Sequence, residues 1–476
     1  MLANPLPMFL AGAWRESDQP IEIWTPGGER RVGASFEATA TQLEEAIQAA
    51  VTSEPRLAAQ APYERSALLR GVAQGITRQR EEFARLLSEE AGKPIKDART
   101  EVERTALTFR VASEEAERVS GEVIDLGLNP ASRGRLGITR RFPAGPVAGI
   151  SPFNLPLSLA AHKLAPALAV GCPIVLKIPS QTPLALLKLA GVIEASGAVP
   201  GSVTMAPMPI AVGDALVTDD RFAVLSFTGS PRVGWDMKAR SGRKRVVLEL
   251  GGNAGALVDR SADLDWAARR CVLGAFKYAG QTCISVQRVY VHAEVWTEFT
   301  DRFVKLAAGL RVGDPAAEDT DVGPLISAAA ADRVRQWVAE ATAEGATTLL
   351  GGPGEGSYVP PTVLTDVPPA ARVCREEVFG PVAVLSKVKS FDAGLDAIND
   401  SVFGLQAGVF TADVASSWRA FERLRVGGVI LNDSPTYRID HMPYGGVKDS
   451  GLGREGVRYA IEEMTEPRLL VIAQPG

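Results

Sequence analysis

Residues 145–197 read GPVAGISPFNLPLSLAAHKLAPALAVGCPIVLKIPSQTPLALLKLAGVIEASG, and the fold class is decided there. Apolar runs of strand length, GPVAGI and PIVLKI, alternate with stretches of helical length, LSLAAHKLAPALAVG and the segment after Thr182. That rhythm marks parallel strands joined by crossover helices, so an α/β protein is expected. In the second helix Thr182 is placed to cap, Pro183 to fill the first turn and Gly197 to end it. Two more buried strands follow, FAVLSF (222–227) running into TGSPRVG and RVVLEL (245–250) running into GGN. Glycine-rich turns therefore follow strand ends, the edge of an open α/β sheet where helix N-termini converge and ligands bind.

Working outward, the segment from about Asp265 to Asp440 again mixes helices (332–343 and 412–424) with the apolar strands PVAVLSKV and GGVILN, which predicts a second α/β unit. Gly121–Arg141 and the tail Thr465–Ala473 read as strands outside both units, free to pair with a neighbouring subunit. The expected division is 1–119 with 142–250 for a cofactor domain, 251–440 for a catalytic domain, and 120–141 with 455–476 for a bridging element. A chain of 476 residues is too long for one core, so a composite fold is required. Gly451, Gly453 and Gly456 spell GxGxxG, but no buried strand feeds that turn, and it is rejected as a dinucleotide loop.

Composition is ordinary for a globular chain, 46% hydrophobic and 22% charged, and the net charge of −5 is spread without a basic face. Nucleic acid is therefore not an expected partner. The start, MLANPLPMFLAGAW, lacks a basic segment followed by a sustained apolar one and does not read as an export signal. The most apolar region, 155–175, is interrupted by His162, Lys163 and three prolines, so no membrane span is expected. Four separated cysteines without CxxC spacing argue against disulfides and metal knuckles and for a reducing cytoplasm.

Four positions carry candidate chemistry. Cys283, in GQTCIS, has the small or polar neighbours Gly280, Gln281, Thr282 and Ser285. It reads either as an exposed nucleophile or as the small buried hydrophobe that a free cysteine usually is, the reading adopted for Cys172, Cys271 and Cys374. An ordinary thiol, with a pKa of about 8.5, is mostly protonated at neutral pH, so a nucleophile needs help. Glu249 stands alone in the apolar strand VVLEL, either as a general base with a raised pKa or as a structural carboxylate with a dedicated cation. Asn154 in SPFN offers an amide donor for an oxyanion or a cap for the following helix. Lys177 at the end of PIVLK is either half of an ion pair or a ligand for ribose hydroxyls.

Taken together, PFN (152–154), TGS (228–230), ELGG (249–252), GQTC (280–283), EEVFGP (376–381) and PYGGVKDSGLGREG (443–456) resemble the aldehyde dehydrogenase superfamily, from FLAGAW near residue 10 to EEMTEP near the end. Cysteine follows glutamate by 283 − 249 = 34 positions, as in that family. The resemblance implies a Rossmann-like cofactor domain, a second α/β catalytic domain and a small strand-built oligomerisation element. It also implies that Cys283 forms a thiohemiacetal with an aldehyde, that Asn154 and the Cys283 N–H hold the oxyanion, and that Glu249 activates the water that hydrolyses the thioester.

By the same matching, NAD or NADP is the implied cofactor, with contacts from Ser151, Phe153, Lys177, Ser180, Gly229, Ser230, Leu250, Gly251, Glu377 and Phe379. Lys177 meets the adenosine ribose, Ser230 the pyrophosphate, Glu377 the nicotinamide ribose and Phe379 the nicotinamide end. NAD-restricted members often carry glutamate where this chain has Ser180, so the repulsion of a 2′-phosphate is absent there and NADP is expected to be tolerated. NDSPTYRIDHMPYGG resembles the lactaldehyde dehydrogenase-like branch, which implies a small polar or hydroxylated aldehyde. Arg110, His162 and Arg438 are the candidate substrate contacts. Their bland readings are a helical pair of Arg110 with Glu114, a hydrogen-bonded core histidine and a solvated loop charge. A coenzyme A-acylating enzyme and a silent scaffold are the rival readings, disfavoured by Glu249 and by the intact set of Asn154, Glu249 and Cys283. A homodimer or homotetramer is the expected assembly.

Overall fold

Val147–Ile150, Ile174–Ile178 and Val203–Pro207 lie parallel and side by side, and the chain then returns to lay Val224–Thr228 and Arg245–Glu249 on the other flank of Val147–Ile150. The reversal leaves a crevice between the carboxyl ends of Val147–Ile150 and Val224–Thr228, where open α/β sheets bind ligands. Met8–Leu10 with Ala13–Arg15 closes one edge antiparallel, and Gly451–Leu452 closes the other. This is the computed structural model of the chain, and it describes residues 5–473. Residues 1–4 of the expected cofactor domain and 474–476 of the expected bridging element lie outside the described residues.

The crossover helix Pro156–Val170 is buried at every position and stops at Gly171, whose φ of 79° is left-handed. Its partner starts at Leu184, with Pro183 as cap residue, and corrects one expectation: Thr182 does not cap it, and the Thr182 hydroxyl is buried without a partner. The first N–H groups are satisfied instead by Glu90, which accepts from Leu184 at 2.8 Å and Ala185 at 3.0 Å. Glu101 does the same for the other helix, accepting from Leu157 at 3.0 Å and Ser158 at 3.3 Å while paired with the buried Lys93. An acidic side chain accepts the open N–H groups of a helix start equally well from a neighbouring helix.

After Arg245–Glu249 the chain crosses through residues 250–253 and enters the second sheet at Ala254–Val258. The parallel strands of that sheet run in the order Thr362–Thr365, Val382–Val388, Val286–His292, Ala254–Val258, Gln406–Phe410 and Gly428–Leu431, with Thr347–Leu350 antiparallel outside. The carboxyl edge of the first sheet therefore faces the amino edge of the second. The helices expected at 332–343 and 412–424 span Ala328–Ala343 and Val414–Arg423. The two outlying segments are strands, but they pair with each other within the chain. Thr465–Ala473 lies antiparallel along Arg135–Pro143, with Val123–Asp125 beyond. Leu469, Leu470, Val471 and Ile472 remain exposed. Among the described residues no helix is long and apolar enough to cross a membrane.

Because Glu90 holds two N–H groups that nothing else satisfies, Glu90→Ala should lower the unfolding free energy by about 1–3 kcal/mol. Thr182→Ala breaks no hydrogen bond and should cost less than half as much, as urea unfolding followed by circular dichroism will show.

Candidate active site

The crossing brings the candidate groups together. Glu249 ends its strand, and Cys283 lies on the loop just before Val286–His292, so they approach from opposite edges. The backbones meet at Gly252, where a Cβ would lie 2.2 Å from the Cys283 carbonyl oxygen, so that only glycine fits.

Cys283 is half-buried, its Sγ 3.0 Å from the Tyr444 hydroxyl. Burial pushes the thiol up to about 12 although the Tyr444 hydrogen bond works the other way. The resting group is a neutral thiol. Asn154 is buried and does not cap the following helix, whose cap residue is Leu155 with no side-chain bond. Its Nδ2 donates to the Gln281 carbonyl at 2.9 Å, tying the first sheet to the cysteine loop. Cys172 and Cys271 are fully buried, as expected, while Cys374 is only partly covered.

Glu249 is buried, and neither carboxylate oxygen has a hydrogen-bond partner among the described residues. Burial, reinforced by the Glu455 carboxylate, raises its pKa well above the usual range against the pull of Arg438, Lys163 and Arg454. Glu455 takes the nearest cations, Lys163 at 3.2 Å and Arg438 at 3.0 Å. Burial works to raise its carboxyl too, but Lys163 and Arg438 hold it below its ordinary range. Lys163 itself is fully buried, and donates further to Ser226 at 3.1 Å and Thr228 at 2.7 Å. A structural carboxylate with its own cation exists here, but it is Glu455. Glu249 is also close to Cys283, because a Cβ on Gly445 would lie 2.9 Å from Glu249 Oε1 and the preceding residue, Tyr444, holds the sulfur.

The cofactor candidates gather at the same edge. Ser151 follows Val147–Ile150, and its hydroxyl is buried without a partner. Gly229 and Ser230 follow Val224–Thr228, and Ser230 precedes the helix Pro231–Arg240 without a side-chain cap bond, leaving the helix start open. Leu250 is buried behind it, against Gly234. A Cβ on Gly251 would lie 2.4 Å from the Glu377 carboxylate, which accepts from the Gly252 N–H at 2.9 Å and which burial raises to about 7. Phe379, left-handed at φ 48°, sets its ring edge-on to Phe153 at 6.1 Å. The Lys177 ammonium has its pKa lowered by burial, with Glu37 opposing. Ser180 donates to Glu37 at 2.6 Å. An orphaned hydroxyl, an uncapped helix start and glycines pressed beneath side chains fit an extended dinucleotide.

A cavity of about 300 Å³ adjoins Cys283 and Tyr444; five cationic side chains, Lys93, Arg104, Arg270, Lys277 and Arg438, outnumber Asp97 and Glu101 in its lining, which also holds His162. His162 is buried, its Nε2 3.0 Å from Asp440 Oδ1; burial and then Arg438 lower its pKa, so the ring is neutral at pH 7. Arg438 is no solvated loop charge: it stacks 3.7 Å from the Tyr444 ring centroid. Arg110 is corrected, since it is exposed and lines no part of this cavity, and Glu114 pairs with Arg118 instead. Arg104, six residues earlier on the same helix and thus about a third of a turn away in angle, takes the inward place. Its guanidinium meets Asp440 at 2.7 Å while Nε is buried and unpartnered. Sequence reasoning missed Arg104, Tyr444, Glu455 and Glu37. Only Lys163 gave a local signal, as a cation inside an apolar helix.

Comparison with known proteins agrees along the whole chain. Residues 14–470 match the model described as the aldehyde dehydrogenase family. A 3-sulfolactaldehyde dehydrogenase from Priestia aryabhattai is 41% identical, over 98% of this chain and 97% of that protein. The crystal structure of aldehyde dehydrogenase 21 from Physcomitrella patens, in complex with the reaction product succinate, superposes with a TM-score of 0.98 at 44% identity, covering 99% of each chain. That of a glyceraldehyde-3-phosphate dehydrogenase from Methanocaldococcus jannaschii complexed with NADP gives 0.92 at 38% identity, covering 97% of this chain and 100% of the other. The chain belongs to the aldehyde dehydrogenase family.

Proposed function

We propose that this chain oxidises a small aldehyde bearing hydroxyl or anionic groups to the carboxylic acid, with NAD or NADP as oxidant and Cys283 as nucleophile. The observation that carries the reading is the buried Glu249 carboxylate, unpartnered next to the Cys283–Tyr444 pair while Glu455 occupies the cations.

Cys283 starts as a thiol, so its proton leaves to water in the cleft as the C–S bond forms, and Glu249 is left free for the later hydrolytic step. The developing oxyanion is met by the Cys283 N–H and by Asn154, whose amide spends one of its two N–H bonds on Gln281. Bound NAD or NADP supplies the hydride acceptor. Loss of hydride from the thiohemiacetal carbon leaves a thioester on Cys283; Glu249, unprotonated, takes a proton from the attacking water, and the acid leaves as the Cys283 thiol is restored. Ser151, Gly229, Ser230, Leu250 and Gly251 are proposed to cradle the pyrophosphate and backbone of the cofactor. Phe153, Glu377 and Phe379 hold its nicotinamide half, and Lys177 with Ser180 the adenosine ribose.

The compounds named for the three relatives above, 3-sulfolactaldehyde, succinate and glyceraldehyde 3-phosphate, each carry an anionic group, whereas lactaldehyde, named for other relatives, carries a hydroxyl. The cations around the cavity suit such a tail, and Arg104, Arg438 and His162 are its proposed contacts. The domain division 1–119 with 142–250, 251–440, and 120–141 with 455–476 is retained as a proposal. So is a homodimer or homotetramer, supported by the exposed apolar residues of the three-stranded sheet. Four free thiols suit a cytoplasmic location.

Glu249→Gln should keep a pre-steady-state burst of one reduced cofactor per subunit and lose turnover by roughly 10²–10⁴-fold. A vanished burst would place Glu249 in the formation of the thioester, unchanged turnover would take it out of the hydrolytic step, and dependence of the wild type on coenzyme A would favour the acylating class. In the wild type, turnover should climb with pH well past the ordinary carboxylate range, since the base form of Glu249 appears only above its raised pKa. For Arg104, the comparison is succinic semialdehyde against butanal. Wild type should favour the acid by at least about tenfold in kcat/KM, and Arg104→Gln should remove that margin while leaving butanal unchanged.

A further inference from the structure

We infer that Glu37 sets a preference for NAD over NADP, an inference that rests on the cofactor reading above. At position 180 the chain carries serine, and along the sequence the barrier to a 2′-phosphate is missing. In space a carboxylate is present. Glu37 sits between the strand Arg31–Phe36 and the helix Ala40–Ala59, and its Oε1 accepts the Ser180 hydroxyl at 2.6 Å.

Glu37 is also the one charged group that acts on the Lys177 ammonium against the effect of burial. The turn that carries it is pinned: the Glu37 N–H donates to the Gln19 carbonyl at 2.8 Å, its carbonyl accepts Ser17 Oγ at 2.7 Å, and Ala38 N–H donates to Pro207 at 2.9 Å. That last bond fixes the turn to the carboxyl end of Val203–Pro207, next to the strand that ends at Lys177 and Ile178. Among the described residues Glu37 Oε2 has no hydrogen-bond partner. The position thus offers one ammonium and one carboxylate with a free acceptor oxygen. A ribose diol donates to a carboxylate at no electrostatic cost, whereas a 2′-phosphate brings close to two negative charges against it with a single lysine to offset them. Ser180 contributes by holding the carboxylate in place, so the residue that replaces the usual glutamate becomes the anchor of a carboxylate from 143 positions upstream.

The test is equilibrium binding of NAD and of NADP to the purified full chain, followed by quenching of tryptophan fluorescence, beside kcat/KM for each cofactor. The wild type should bind NAD at least about tenfold more tightly than NADP, a margin of the size expected for one like-charge contact near a protein surface. Glu37→Gln, which keeps the shape and can still accept from Ser180, should shrink the ratio of dissociation constants by about tenfold, mainly through tighter NADP binding. Glu37→Ala should shrink it at least as much. Tighter binding of NADP than of NAD by the wild type, or an unchanged ratio in both variants with unaltered melting temperatures, would overturn the assignment to Glu37 and leave the aldehyde dehydrogenase reading standing. Binding of neither cofactor would overturn that reading and this one with it.

Discussion

The passage from Glu249 to Ala254 is the constraint on which the site depends. In these few residues the chain leaves the carboxyl end of one sheet and enters the amino end of another, so the two edges are forced to face each other. Gly252 admits the Cys283 carbonyl and Gly251 admits the Glu377 carboxylate, both at distances that a Cβ would forbid. A paired glycine is therefore what lets a dinucleotide-type edge on one sheet and a reactive thiol on the other share one cleft. The crossover helices carry the same economy, since carboxylates from neighbouring helices satisfy their starts and leave their own residues free to pack.

Charge is distributed around the crossing so that one acid is left without a counter-ion. Lys163, Arg438 and Glu455 neutralise one another, Arg104 and His162 converge on Asp440, and Glu249 stands beside the first group without joining it. Burial without a partner disfavours the charged form of a carboxylate in that position, which raises its pKa above the ordinary range. The neighbouring ion cluster sets the potential that Glu249 feels, with Glu455 pushing its pKa up and the cations pulling it down.

Much of this was legible in the sequence because it follows local rules. Strand–helix alternation over 145–197 gave the parallel sheet, and the lone acid in VVLEL and the polar surroundings in GQTCIS marked Glu249 and Cys283. What was not legible depends on contacts between distant segments. Nothing around Thr182 announces that Glu90 will cap the next helix, nothing around Ser180 announces Glu37, and only the angle of one helix decides that Arg104 rather than Arg110 turns inward. Tyr444 was quoted within a motif, yet its bond to Cys283 belongs to tertiary structure. The tail strand was recognisable as extended, but its partner was not, because pairing over nine residues with Arg135–Pro143 leaves no trace in either segment alone.

That pairing also sets an order of events during synthesis. Thr465 opposes Pro143, so the strand Arg135–Pro143 waits for its neighbour while 465 − 143 = 322 further residues are made, which at roughly 5–20 residues per second is a matter of tens of seconds. Through that interval one of its edges stays open, with Val123–Asp125 available on the other. A nascent ribbon of this kind is a template for stray β-pairing between chains, and its exposure spans the synthesis of the whole second sheet and of Gly451–Leu452, which closes the first.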